Sequence, residues 1–495
     1  MSDSPKTEAD ASAAHLADLG YAQELWRRMG GFANFAVSFS IISILSGGIT
    51  SFDSGLAAGG PGEMGYGWPI VCFFSLMMAM AMAEIASSYP TAGGLYHWAS
   101  ILGGRAWGWV TAWLNLIGLV TVIAAIDFGA VEFFLGWAAP FLGIDPGKMT
   151  PESLQALKVG LTFACLFSQG AINHMGIRLT ALLTDLSAWV HIVGALALTG
   201  SLWVLARHHP VSYLFEVINT TGVPDQFPRT ESTPWAFMLG FLMAAYTVTG
   251  YDASAHTAEE TIDAENVVPW GMVMAVAVSG VFGWLMIGAI TLAMPDLEST
   301  LKSGHAVVFV MQKGLPSWLN LTLLAIISSA QYFCGLATVT STSRMIYAFA
   351  RDGGLPGWQL WKNVSPKYRT PAPAIWLAVG LAFIFTIWAK VYGLITSVAT
   401  ISLYVSYAIP LALGIVERNG RWTKPGPWSL GAFGRPIASV AVLWTVLITV
   451  LLIQPPNTKA GLALGGCGVL LAIYWFLYAR DGFRGPPKAL MDGVV

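Results

Sequence analysis

Between Pro234 and Thr261, in the run PWAFMLGFLMAAYTVTGYDASAHTAEET, an acid, a phenol and an imidazole fall at the end of a stretch that is otherwise apolar: Asp252, Tyr251 and His256. The helix that this stretch predicts is interrupted at Thr249-Gly250-Tyr251-Asp252. A glycine inside a helix costs about 1 kcal/mol relative to alanine, and an acid at mid-bilayer about 2.5–3.5 kcal/mol. Such costs are tolerated where irregular backbone lines a cavity. An earlier apolar run, Phe32 to Gly60, is interrupted in the same way at Ser46-Gly47-Gly48-Ile49-Thr50, and Gly47 lies fifteen residues after Phe32, as Gly250 does after Trp235. A broken helix leaves N–H donors at the positive end of one half and C=O acceptors at the end of the other. The donors suit a carboxylate and the acceptors an ammonium or another cation, so a zwitterion satisfies both. Gly47, Gly48 and Gly250 are expected to let a ligand approach the main chain, Tyr246 to form a wall or lid, and Asp252 with Tyr251 and His256 to face the same cavity. Two other readings are open: Gly47-Gly48 as a helix-packing patch, and Asp252 as a cap on the second half-helix.

Other acids lie within or beside apolar runs: Asp53, Glu84, Asp127, Glu132 and Asp185. Some of these must be protonated or paired. Glu84, near a span end, reads as a structural pair. Asp127 and His191 are the candidates for a proton relay, with His191 packed at a helix crossing as the plainer reading.

These residues need a membrane to position them. Of 495 residues 55% are hydrophobic and 11% charged, and the mean hydropathy is +0.62. A span takes about 20 helical residues. Apolar runs near 32–59, 67–88, 107–136, 157–173 and 179–205 make a first half, and runs near 235–258, 269–293, 318–349, 373–389 and 394–416 a second. Two more, near 436–453 and 460–478, complete twelve. Five spans is an odd number, so the second half enters from the opposite side. The expected architecture is therefore an all-α polytopic membrane protein with twelve transmembrane helices, a 5+5 inverted repeat and two C-terminal helices. Its parts are a cytoplasmic tail at 1–30, repeats at 31–205 and 234–416, an outer loop at 206–233, the last two helices within 417–478, and a cytoplasmic tail at 479–495. Within the first tail, Tyr21 to Met29 reads as solvated chain or as a short amphipathic piece along the headgroups. With the N-terminus inside, 17 of the 25 Lys and Arg fall on the inner side, which favours cytoplasmic termini in a cell membrane.

The four cysteines have no CxxC neighbour and read as buried apolar residues. Nothing calls for a metal or a cofactor, and a net charge of −2 argues against nucleic acid. HExxH and GxSxG are absent. One GxGxxG match, Gly60 to Gly65, follows a helix rather than a strand and is no dinucleotide fingerprint. An enzyme is thereby disfavoured.

Three longer segments carry a resemblance: EMGYGWPIVCFFSLMMAMAMAEIASSYPTAGGLYHWAS, TGYDASAHTAEET and SRMIYAFARDGGLP. Together they resemble the amino acid-polyamine-organocation superfamily, most closely its amino acid and choline permease branch, over roughly residues 30–480. The resemblance implies the leucine-transporter fold, with substrate between the broken first and sixth helices and contacts from the third, eighth and tenth. Gly47, Gly48 and Ile49 match the unwound first-helix motif, with Ser46 for its first glycine. Gly250, Tyr251 and Asp252 match the Gly-Phe-Glu pattern of the sixth helix. Some relatives carry a fifth-helix lysine in place of a sodium ion, and this chain has no lysine between Arg178 and Arg207. His191 as a proton site, or Na⁺ near Thr338, Thr340, Ser341 and Thr342, are the alternatives for coupling. The implied activity is import of an amino acid or small amine by alternating access: a neutral amino acid, gamma-aminobutyrate, choline or ethanolamine. A non-transporting nutrient sensor of the same fold is the other reading.

Overall fold

The computed structural model describes residues 16–487 except 18–19, 224–225, 389–391, 419, 423–424 and 456. The outermost parts of both expected tails, 1–15 and 488–495, lie outside the described residues. The first broken helix is α1 (Gly31–Ile42), a π turn at Ile44–Gly48, and α2 (Phe52–Gly59). A second π turn, Glu63–Gly67, leads into α3 (Trp68–Ser88), followed by α4 (Leu95–Gly103), α5 (Arg105–Leu142), α6 (Pro151–His174) and α7 (Ile177–Leu205). The second broken helix is α8 (Thr233–Thr247) and the single turn α9 (Ala253–His256). Then come α10 (Ala264–Leu292), the short α11 (Leu297–Lys302) and α12 (Ala306–Gly314), α13 (Ser317–Arg351), α14 (Trp358–Trp361), α15 (Ala372–Trp388), α16 (Tyr392–Glu417), α17 (Gly434–Leu452) and α18 (Thr458–Tyr474).

Nine helical segments among the described residues are long and apolar enough to cross a membrane, and the chain is a multi-pass membrane protein. The second broken helix starts on ordinary signals. Ser232 caps α8 by accepting from the Trp235 N–H, with Pro234 in the first turn. Apolar side chains on α7, α17 and α18 face outward, among them Trp189, Leu443 and Leu470, as lipid-facing surfaces do.

The packing has an internal correspondence. α5 packs on α16 and α15, as α13 packs on α7 and α6; α1 packs on α10, as α8 packs on α3; and α5 and α13 pack on each other. Each of these contacts has its counterpart in the other half.

Residues 21–29 correct the expectation of a solvated or headgroup-lying segment. They run across the turn that follows α9. The Arg28 and Met29 N–H groups donate to the Glu260 carbonyl (2.9 and 2.8 Å), the Ile262 N–H donates to the Met29 carbonyl, and Arg27 donates to the Thr261 carbonyl (2.6 Å). Such bonding satisfies backbone groups on both sides and makes the segment a strap.

Candidate functional site

The first helix unwinds at Ser43, whose φ of 35° lies in the left-handed region, earlier than the Ser46–Thr50 stretch expected. The wide π turn over Ser46, Gly47 and Gly48 follows, a local form associated with functional sites. The second helix breaks where the sequence predicts: α8 ends at Thr247, Thr249 bonds back to the Tyr246 carbonyl, and Gly250 takes φ +83°.

The two breaks touch. A Cβ on Gly47 would lie 3.0 Å from the Thr247 Cα, so glycine is what lets the backbones meet. Ser51 joins them by donating to the Gly47 carbonyl and to the Met243 carbonyl (3.2 Å). At Gly48 the Cβ direction points to Met286, Trp68 and Thr247 at 3.6–3.9 Å, ordinary packing distance.

A cavity of about 500 Å³ runs from Ile49, Thr50 and Tyr246 at the breaks, past Asp53 and Glu132, to Gln226 and His305 in the connections on one face. Asp53 accepts from the Ala306 N–H (2.8 Å), and Glu132 pairs with Lys158 (2.7 Å).

Asp252 does not line this cavity, which corrects the expected grouping of acid, phenol and imidazole around one space. Its carboxylate accepts from Asn115 on α5 (2.9 Å) and from the Tyr407 hydroxyl on α16 (2.8 Å), and His256 Nε2 lies 3.2 Å away. The Gly250 N–H donates to the same Tyr407 oxygen (3.1 Å). His256 Nδ1 faces the Ala92 carbonyl (3.0 Å), an obligate acceptor. The Tyr251 hydroxyl is buried without a partner among the described residues, its ring 5.0 Å from that of Tyr407. Asn115 and Tyr407 were missed as individuals, since neither stands out within its apolar helix. A Tyr407→Phe substitution removes a donor to a carboxylate and the acceptor of the break's N–H. It is expected to lower stability by about 1.5–3 kcal/mol. The fall in melting temperature should exceed that of Tyr404→Phe on the same helix, where the hydroxyl meets Ser75 rather than a carboxylate.

The coupling candidates are dispersed. His191 touches the first break: Ser43 Oγ lies 2.6 Å from Nε2, and Nδ1 faces the Ser187 carbonyl at 2.8 Å. Asp127 is buried away from the breaks, accepting from Gln169 (2.7 Å). Thr338 donates to its own helix at the Cys334 carbonyl, Thr340 donates to Asn173 (2.7 Å), and the Ser341 hydroxyl is buried without a partner among the described residues. Glu84 is paired with Arg418, as its position near a span end suggested.

Below the breaks the opposite face is sealed. Arg344 makes a two-point contact with Glu260 (2.9 and 3.1 Å), and Arg351 a second with Glu259 (2.9 and 3.1 Å). Burial opposes the Glu259 charge, but the Arg351 guanidinium holds its carboxyl below the ordinary range. The same guanidinium lies 3.7 Å over the Tyr21 ring, and the Tyr21 hydroxyl donates to Asp352 (2.8 Å) beside His97.

The Amino acid permease family matches residues 29–475. The chain is 35% identical to the amino-acid permease BAT1 of Arabidopsis thaliana over 98% of both chains. It is 35% identical to the BAT1 homologue of Oryza sativa subsp. japonica over 96% of both, and 28% identical to the GABA-specific permease of Saccharomyces cerevisiae over 96% of this chain and 86% of that one. With this match across nearly its whole length, the chain belongs to the amino acid permease family of the amino acid-polyamine-organocation superfamily.

Proposed function

We propose that the protein is a secondary active transporter that imports an amino acid or small amine across the cell membrane by alternating access, driven by H⁺ or Na⁺. The observation that carries this is the asymmetry around the paired breaks: a cavity of about 500 Å³ leads to them from one face, while ion pairs and the strap seal the other. That is the arrangement of a carrier open on one side. The matched packing of the two halves supports a 5+5 inverted repeat within twelve spans. Gamma-aminobutyrate, choline and ethanolamine, with neutral amino acids, are the substrates to test, and a relative named for GABA puts that compound first.

A thermal-shift screen of purified protein tests the reading, because a ligand at 100 times its dissociation constant adds about 2.7 kcal/mol to stability. Uptake into proteoliposomes of whichever compound shifts the melt then separates a carrier from a sensor. No shift with any of these compounds, and no uptake, defeats the proposal.

Orientation is tested separately. The segment from Arg351 to Thr370 is expected to be cytoplasmic, together with both termini. An exposed Lys367→Cys should resist membrane-impermeant thiol reagents in intact cells and react after permeabilisation. Rapid labelling in intact cells reverses the assignment.

A further inference from the structure

Glu63 opens the π turn before α3, and it is fully buried with neither carboxyl oxygen hydrogen-bonded among the described residues. Its surroundings are shaped to the carboxyl group. A Cβ on Gly59 of α2 would lie 2.8 Å from Oε1, one on Gly240 of α8 2.3 Å from the carboxyl carbon, and one on Gly67 of its own turn 2.0 Å from Oε2. Three glycines, from three places in the chain, leave the space this side chain fills. Phe237 also borders this space, since its ring lies 3.0 Å from the same Gly59 Cβ.

Among the described residues no charge pairs with the carboxyl. Among the elements packed on the turn, α2 offers Asp53, which is bonded to Ala306, and α3 offers Cys72 and the distant Glu84, paired with Arg418. α8 offers Tyr246, α10 offers Glu265 at its far end, and the 211–216 segment offers Tyr213 and the exposed Glu216. None bonds or pairs with Glu63. An ionised carboxylate in so apolar and closed a site carries a large uncompensated desolvation cost, so the group rests here as a neutral acid.

Two walls of the cage are also walls of the cavity. α2 and α8 are the half-helices on the cavity side of the breaks, and they supply the cavity wall through Asp53, Ser54, Leu242 and Tyr246. The same two helices present Gly59 and Gly240 to Glu63, so a shift of either one that narrows the cavity would also disturb the cage. We propose that Glu63 is a proton-carrying site: it holds a proton while the cavity is open, and gives it to water when α2 and α8 shift and the cage loosens. The proposal rests on the alternating-access reading and names the proton as its coupling ion.

Two measurements on the full-length protein in detergent or nanodiscs test it without any substrate. Infrared spectroscopy of protein labelled with carbon-13 glutamate should show a carboxylic acid C=O band at neutral pH that is missing in Glu63→Gln. The other buried glutamates, Glu84, Glu259 and Glu260, each face an arginine, so the band in wild type is assignable even if the variant fails to insert. Absence of a protonated glutamate band overturns the proposal. Hydrogen exchange of residues 49–59 and 233–247, corrected for intrinsic pH effects, reads the link to the gate. Once Glu63 titrates, loss of one proton shifts the open–closed balance by up to about tenfold per pH unit. Protection in the wild type should therefore rise with pH, while Glu63→Gln stays flat. An equal pH response in both proteins also overturns the proposal. Uptake of gamma-aminobutyrate under an inward proton gradient forms a separate arm: if no candidate is transported while the infrared and exchange results hold, the transport reading fails and the proton site stands.

Discussion

An Arg344→Met variant is expected to lose about 3–5 kcal/mol of stability, the cost of leaving one member of a buried ion pair without its partner. Both side chains are fully buried, the guanidinium meets the Glu260 carboxylate through Nε and Nη2, and Nη1 donates to Ser343 (3.0 Å). Methionine fits the volume but supplies no charge, so Glu260 would stay as an anion without its counterion or take up a proton. The pair also ties three elements together. Glu260 lies at the end of the turn after the second break, and its carbonyl holds the strap through Arg28 and Met29. One substitution therefore loosens α13, that turn and the N-terminal segment together. The check is the melting temperature of Arg344→Met, Glu260→Gln and the double variant. The double variant should recover much of the loss, because a neutral pair leaves no buried charge. If the double variant is as unstable as the sum of the singles, the loss comes from packing and not from the ion pair.

The sequence announces such a site unevenly, and the reasons are physical. The second break was legible because its backbone needs a positive φ, which Gly250 meets at no steric cost. The first break begins at Ser43, where a non-glycine residue takes the left-handed conformation under tertiary packing, and nothing in its local composition marks it. Asp252 was legible as an exceptional acid, but its partners Asn115 and Tyr407 come from α5 and α16, 137 and 155 residues away in the chain. The strap depends on main-chain bonds to Glu260, which leave no periodic pattern in residues 21–29. Glu63 was hidden within a short GxGxxG match, because its cage is closed by Gly240 of α8, which is remote in sequence and brought there by packing. Helices on their own were the easy part, since composition and length determine them, whereas pairing across the chain is set by packing.

Gly250→Ala is expected to abolish or strongly impair ligand binding, while Gly48→Ala is expected to be close to neutral, although both glycines sit in matching breaks. At Gly250 two costs combine. The backbone holds φ +83°, where an L-residue is disfavoured by about 1–2 kcal/mol. The new Cβ would also lie 2.2 Å from Ile41 Cγ2 on α1, inside any tolerable contact. To relieve the clash the break must move, and with it the N–H that donates to Tyr407 and through it the Asp252 network. Because about 1.4 kcal/mol is a factor of ten in affinity, the backbone term alone predicts a loss of that order, and the steric term adds to it. At Gly48 the nearest atoms stand at 3.6 Å or more and no strained φ is involved, so a methyl group meets ordinary packing. The two costs at Gly250 are separable by pairing the substitution with Ile41→Ala, which removes the clashing Cγ2 and leaves the backbone strain. Ligand-induced thermal shifts and uptake should then show partial recovery in the double variant. Full activity in Gly250→Ala rejects the break as a functional feature, and complete recovery in the double variant rejects backbone strain as part of the cause.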